Sequence, residues 1–486
     1  MKKRIPLLVL IITLLFPVNV FANISSFSTK NVNGIKINAV ELNMNSNRIK
    51  PVILNANNQM LSTESLPSMA KKQGAFAAIN GTYFSAYEGL PFPWGAIIKN
   101  GKVIHTGSKN PVVGITDDGK LIIDRLNFEL GGYVNGELKT FPWRINHPST
   151  EPQAITIYTP EYGTTVNMEA GAKAVLVSNG YVSQIATSSF NVPSNGFAIV
   201  FNSEGAHFVD QFYNIGDQAD YKVTIKTTFT DPSQWENVTS GLGVGPSLII
   251  NGVITADGHA EGFTEDKINI NSGGRSFIGA KADGTIIFGN MNSATIKAAA
   301  EACKQMGLVN AMCLDGGGSI ALYYEPANIS MTGRNLNNGL AFVEIKPLIK
   351  TAIPTNSKLI LDGEKVDLDA YNIDGNNYFK LRDIAMMLNS SNVNFNVVWD
   401  GTNNAIKLLT NQKYIPVGGE LSLASVKTNK TASSTNSNIY INNNKAQLTA
   451  YNIDNNNYFK LRDVLDYLNI QVDWDSSTNS ILVNTK

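Results

Sequence analysis

The residues best suited to chemistry form a short run, Asp315-Gly316-Gly317-Gly318-Ser319, directly after the apolar stretch Val309–Leu314. An apolar strand ending on a carboxylate delivers an acid or base group to the edge of a sheet. Three successive glycines let the backbone turn sharply and present consecutive N–H groups, a concavity that suits a phosphate oxygen. The same run also reads as a plain tight turn in which Asp315 bonds its own loop. A second polar cluster, Asn80-Gly81-Thr82-Tyr83-Phe84, follows the apolar stretch Ala75–Ile79, with Glu88 in the next loop. Its amide, hydroxyl and phenol can orient a polyhydroxylated ligand, or form a hairpin turn over buried aromatics. Arg275 and Arg334 are isolated in loops otherwise poor in basic residues, and either guanidinium can fork onto a phosphate. The glycine-rich run Gly241–Ser247 lacks the lysine of a P-loop and the following helix of a dinucleotide site. Four histidines (His105, His147, His207, His259) and two cysteines (Cys303, Cys313) show no metal-ligand spacing. No cofactor is expected. Oxygen ligands leave little spacing signature, so a divalent cation such as calcium at Asp315 stays open.

The elements that must position these residues read as strands in the majority. Strands are expected at Ile35–Leu42, Pro51–Leu54 and Ala75–Ile79, with a helix over Leu66–Gln73. Asn100-Gly101 and Asn251-Gly252, each flanked by apolar β-formers, signal hairpins. Ahead of Asp315 stands a β-α-β segment: strand Thr285–Phe288, a helix capped at Asn292 or Ser293 and stopped by Gly307, then strand Val309–Leu314. Ile296, Ala299, Cys303 and Met306 make the apolar face of that helix. With Cys303 on the helix and Cys313 on the strand, two buried thiols are favoured over a disulfide. The expected class is α+β: a mixed β-sheet catalytic domain with packed helices, followed by two small α+β repeat modules.

Residues 1–22 have the build of an export signal: Lys2, Lys3 and Arg4, then the apolar stretch Ile5–Phe16, then small residues before a cut after Ala22. No other stretch approaches membrane-spanning length, so a secreted or cell-surface protein is expected. The 39 basic and 39 acidic residues balance in the full chain, and losing the signal leaves 36 against 39. That is no basis for nucleic-acid binding. Further along, Ala370–Asp383 (AYNIDGNNYFKLRD) recurs as Ala450–Asp463 with 13 of 14 positions identical, and Trp399-Asp400 is echoed by Trp474-Asp475. Two prolines and no clear period mark a linker at 347–356. The expected organisation is a catalytic domain at 23–346, then repeats at 357–412 and 413–486.

In order, the blocks AAINGTYF (Ala77–Phe84), GVGPSLIINGVI (Gly243–Ile254), RSFIGAKADGTIIF (Arg275–Phe288), NAMCLDGGGSIALYY (Asn310–Tyr324) and GRNLNNGLAFVE (Gly333–Glu344) resemble the phosphodiester glycosidase family. The resemblance implies hydrolysis of a sugar-1-phosphodiester, with Asp315 and Glu88 as candidate catalytic carboxylates. Asn80, Gly81, Tyr83, Arg275, Gly316, Gly317, Gly318, Ser319 and Arg334 are the candidate substrate-binding residues. The chain departs from the family pattern at Thr82, Ser247 and Ala280-Lys281, which puts an animal-like N-acetylglucosamine substrate in doubt. Trp143–Pro152 is a candidate wall of the sugar pocket. The repeats resemble stalk modules named after the N-terminal domain of copper amine oxidase, which implies tethering to the bacterial cell wall. No histidine follows His259, so they hold no His-based copper site. The rival reading is a non-catalytic carbohydrate-binding or adhesive surface protein.

Overall fold

The computed structural model describes residues 24–87, 89–107, 111–401 and 403–485. The export segment read at 1–22 lies outside the described residues. Strands make up 47% of the described residues and helices 14%, in several small sheets and a barrel. This corrects the α+β expectation. The longest helix among the described residues, Ile296–Gln305, has 10 residues, and a helix that short covers only part of a sheet face. Apolar β-formers broken by Asn and Gly turns dominate instead, so sheets bury their faces mainly against one another.

A seven-stranded sheet holds Leu308–Leu314 between Gly273–Lys281 and Ser247–Ile250, both antiparallel to it. A five-stranded sheet holds Ala75–Asn80 between Leu322–Tyr324 and Asn338–Glu344. The two sheets meet in one core that includes Ile79, Leu242, Ile278, Leu314 and Leu340. Across it Phe288 stacks on Phe342 with ring centroids 5.1 Å apart. Both phenylalanines are fully buried, a contribution of about 1.5–3 kcal/mol each. The ends of strands Ala75–Asn80 and Leu308–Leu314 come together, Asn80 Nδ2 donating to Asp315 O at 2.7 Å. The backbone then joins the sheets directly, Asp315 N donating to Gly81 O at 3.2 Å.

On the other face of the seven-stranded sheet, Ile296, Ala299 and Cys303 pack on Ile37, Phe277 and Met291. Both cysteines are free and buried, and burial raises both thiols, Cys313 to about 11. The helix cap is Thr295, whose Oγ1 accepts from Ala298 N at 3.2 Å. Asn292 and Ser293, expected as caps, extend strand Ile286–Ala294, because its pairing with Gly273–Lys281 runs on to Ala294. Gly307 follows the helix at φ +84°, the left-handed conformation a glycine C′ residue supplies. Both Asn-Gly hairpins form, pairing Lys99 with Lys102 and Ile250 with Val253.

The repeats interlock. Six strands, three from each side of the repeat, close one barrel in the order Ile349–Pro354, Ala370–Ile373, Asn376–Lys380, Asn456–Lys460, Ala450–Ile453, Lys430–Ser434. Phe379 pairs with Phe459 at the centre. Lys358–Leu361 pairs in parallel with Ser480–Val483, and Asn438–Ile441 in parallel with Ala405–Leu408. Each copy therefore completes the other's sheet. The stretch read as a linker contributes the strand Ile349–Pro354.

Candidate active site

Asp315 leaves the strand Leu308–Leu314 at the floor of a cavity of about 580 Å³. Tyr83, Arg275, Gly316, Gly317, Gly318, Ser319 and Arg334 also line it, so most of the candidates from distant parts of the chain meet at one place. Glu88 lies outside the described residues; its neighbour Tyr87 stands on the rim. A larger cleft of about 1240 Å³, lined by Lys102, Glu161, Asp220, Tyr221, Trp235 and Glu236, shares none of these residues.

The surroundings of Asp315 set its chemistry. Burial pushes its carboxyl up to about 7, against the opposing pull of the Ser319 hydroxyl, the Arg334 cation, the Gly316 N–H and Lys267. A carboxyl titrating near neutrality can act as acid or base at ordinary pH. Next to it the backbone turns through Gly317 at φ +56°, and the N–H groups of Gly317 and Gly318 have no hydrogen-bond partner among the described residues. Arg334 lies over this turn. Its N donates to Gly318 O at 2.9 Å, its Nη2 donates to the Tyr87 hydroxyl at 2.8 Å, and its guanidinium sits 4.6 Å from the Tyr87 ring centroid. A Cβ at Gly318 would fall 2.5 Å from Arg334 Nη2, so glycine is what admits the arginine here.

Asn80 and Gly81 stand beneath the cavity and not in it. Asn80 is fully buried: its Nδ2 donates to Asp315 O at 2.7 Å, and its Oδ1 accepts from Ser276 Oγ at 2.6 Å and Ala321 N at 3.2 Å. It fixes the Asp315 backbone from the neighbouring sheet, where direct ligand contact was expected. A Cβ on Gly81 would run into Asn338 Oδ1, which accepts from Thr82 N at 2.9 Å. The Tyr83 hydroxyl is likewise engaged, donating to Gly245 O at 2.7 Å, and burial raises its pKa well above the usual value. The phenol thus offers its ring to the cavity.

Arg275 is buried and tied to main chain. Nε donates to Ala294 O at 3.0 Å, and Nη2 to Lys267 O at 3.1 Å and Asn271 O at 2.8 Å. Only Nη1 has no partner among the described residues, so most of this guanidinium braces the short helix Asp266–Asn269 and the two residues after it. That stretch brings in groups the sequence did not flag. Glu265 and Lys267, paired at 2.7 Å, line the cavity, and Trp94 stands 6.3 Å from the Tyr83 ring. Nothing local marks them: Glu265 and Lys267 are single charges at and within the short helix Asp266–Asn269, and Trp94 ends the run Pro91-Phe92-Pro93. Asn337 and Asn338, both buried under the site, were visible only as part of a longer block.

No residue of Trp143–Pro152 lines this cavity. Within that stretch His147 instead meets His105, Nδ1 to Nε2 at 3.0 Å, while His105 Nδ1 faces Gly95 O at 2.8 Å. A carbonyl only accepts, so His105 Nδ1 carries the proton and His147 Nδ1 donates to His105 Nε2. Burial lowers both histidines, to about 3 and about 4 respectively. No group of three or more His, Cys, Asp or Glu side chains able to hold a metal occurs among the described residues. Nor is any helix among them long and apolar enough to cross a membrane.

Residues 171–343 match the family model for phosphodiester glycosidases, a span that includes Glu265, Lys267, Arg275, Asp315–Ser319 and Arg334. A hypothetical protein from Synechocystis is 21% identical at a TM-score of 0.55, covering 65% of this chain. This chain spans 61% of that protein's length. A Burkholderia pseudomallei protein named as a candidate exported protein is 16% identical at a TM-score of 0.53, with 64% of this chain and 74% of that one covered. Both likenesses concern the fold alone. The zebrafish N-acetylglucosamine-1-phosphodiester alpha-N-acetylglucosaminidase catalytic domain aligns at 13% identity over 66% of this chain and 82% of its own. Its TM-score of 0.35 is too low to carry an argument. No curated protein matches the chain. The stretch that builds most of the cavity is thus similar to phosphodiester glycosidases.

Proposed function

We propose that the protein is an exported glycosidase that hydrolyses a sugar-1-phosphodiester at the anomeric carbon, freeing the sugar and leaving a phosphomonoester. The observation that carries this reading is the Asp315 carboxyl, lifted to about 7, beside the unpartnered Gly317 and Gly318 N–H groups and the Arg334 cation. The family-model match over 171–343 supports the reaction class. In this reading the phosphoryl oxygens rest on the two glycine N–H groups, with Arg334 and Lys267 balancing their charge. A departing phosphomonoester has a second pKa of about 6 and needs little help from a general acid. Ionised Asp315 takes a proton from water as the water oxygen bonds to C1. The C1–O bond breaks, and its electron pair leaves on the phosphate oxygen. Glu265, paired with Lys267 at 2.7 Å, holds that cation at the cavity wall. The rings of Trp94, Tyr83 and Tyr87 give the sugar an aromatic wall. Sugar-phosphate polymers of the cell envelope or extracellular glycans are the substrate class, met after export, with the interlocked repeats tethering the enzyme to the wall.

Purified protein incubated with a panel of glycosyl-1-phosphodiesters should release reducing sugar and phosphomonoester in equal amounts. Asp315→Asn should lower that rate by ~10²-fold or more, the scale of acid–base participation. Near-wild-type turnover in the variant would remove Asp315 from its role. Glycan binding with no release across the panel would favour the adhesive reading.

A further inference from the structure

The interlocked repeats create two equivalent cavities that the hydrolytic reading does not use. One, of about 490 Å³, is lined by Trp474, Lys460 and Arg462 from the second copy and by Asn372, Asn376 and Asn377 from the first. The other, of about 380 Å³, is lined by Trp399, Lys380 and Arg382 from the first copy and by Asn452, Asn456 and Asn457 from the second. Thr355 and Ser357 border the first, and Thr435 and Ser437 the second. Asp473 and Gly375 at the first are replaced by Val398 and Asn455 at the second, where Arg382 Nη1 donates to the Tyr414 hydroxyl at 3.1 Å. The tryptophan, lysine, arginine and three asparagines recur at both. The cause is the barrel register: Tyr378 pairs with Lys460 and Lys380 with Tyr458, which sets the Asn-rich hairpin of each copy against the Lys-Leu-Arg turn of the other.

Asn372, Asn376, Asn452 and Asn456 tie their own hairpin turns, but the other side chains have polar groups left over. Trp399 and Trp474 are 51% and 47% exposed, and neither indole N–H has a partner among the described residues. Asn377 Oδ1 is buried without a hydrogen-bond partner, and its Nδ2 reaches only Ser357 Oγ at 3.4 Å. Asn457 and Arg462 make no side-chain hydrogen bond to any described residue. A purely structural repeat would hold its buried positions alike and let its exposed ones drift. Here the copies diverge just past the turn, from Ile384-Ala385-Met386-Met387 to Val464-Leu465-Asp466-Tyr467, while the exposed tryptophan and the half-buried asparagines at the cavities stay the same.

We infer that each cavity binds one saccharide unit, so that the repeats form a bivalent glycan-binding module. A half-exposed indole offers a flat apolar face to the C–H face of a pyranose, and amides with hydroxyls beside it match the ring hydroxyls. Arg462 can meet an acidic substituent. A polyanion such as nucleic acid fits less well, because Lys460 is paired with Asp463 at 3.2 Å and Lys380 donates to Gly419 O at 2.8 Å. Two sites on one barrel engage separate units of a repeating polymer and bind it more tightly than either site does alone.

The inference is independent of Asp315 and is tested on the full chain. Co-sedimentation is measured with purified cell-wall sacculi, intact and stripped of stem peptides, for wild type, Trp399→Ala, Trp474→Ala and the double variant. Wild type should sediment with both preparations. Each single variant should weaken binding ~10-fold or more, and the double variant should stay in solution. Trp474→Phe, which keeps an aromatic face, should recover most of the binding if loss in Trp474→Ala is a contact effect. Hydrolysis of a soluble substrate should not change in any of these variants. Wild-type protein that ignores both preparations, binding confined to peptide-bearing sacculi, or a double variant that sediments like wild type would overturn the inference.

Discussion

Asp315 joins stability and function in one group with a definite sign. Its pKa rises from 3.8 to about 7 on folding, chiefly through burial, so the folded protein holds a proton that the unfolded chain releases between those values. Its stabilising share is therefore present below about pH 4 and lost as pH rises through about 7. Asp315→Asn, neutral at every pH, should melt higher than wild type at pH 8, and the gain should vanish near pH 4. The same titration governs rate: kcat/KM should rise with pH through about 7 and then level off, since the base must be ionised in the free enzyme. Thermal melts and a pH–rate profile check the two together. A variant less stable than wild type at pH 8, or a flat wild-type profile between pH 6 and 8, would contradict this assignment.

The elements around the site use glycine for two different purposes, and substitution separates them. A Cβ on Gly81 meets the buried side chain of Asn338, which is held by Thr82 and Asn337 and has nowhere to move. Gly81→Ala should cost about 1–3 kcal/mol of stability, the range for overpacking. A Cβ on Gly318 meets only the far end of Arg334, which can swing away. Gly318→Ala should leave the melting temperature nearly unchanged and lower kcat/KM by displacing the guanidinium from the phosphate position. The reverse pattern would show that the two glycines had been given each other's roles. Features set by local backbone chemistry were legible in the sequence: the Asn-Gly hairpins, the helix stop at Gly307, and the strand that runs into Asp315-Gly-Gly-Gly. Features set across distance were not. Glu265, Lys267 and Trp94 reach the cavity through long-range packing of a short helix and a loop, and Asn80 reads as a ligand-binding amide until its partners Ser276 and Ala321 come beside it. The β-rich architecture escaped for a related reason. Short helical periods are visible one by one, but whether helices or other sheets cover a sheet face is decided by the whole chain.

At the scale of the whole molecule, the repeats show how far such long-range pairing goes. Lys358–Leu361 finds its parallel partner at Ser480–Val483, more than a hundred residues away, so two copies that look like separate beads fold as one body. Ending the chain at 412 would leave three of the six barrel strands and no partner for Lys358–Leu361. Residues 357–412 should then be cut rapidly by protease and lose their melting transition. The sheets around Asp315, with a core of their own, should keep theirs. A protected 357–412 segment in the truncated chain would show that one repeat suffices.

The charge balance bears on the catalytic region too. With no basic surface field, the proposed recognition of phosphate rests on Arg334, Lys267 and two glycine N–H groups. Hydrolysis of a glycosyl-1-phosphodiester in ¹⁸O-enriched water tests the proposed reaction most directly, read by the mass of the released phosphomonoester. Attack of water at C1 predicts an unlabelled phosphomonoester, with the new oxygen in the sugar. A labelled phosphomonoester would mean that the P–O bond is cut and would contradict the account.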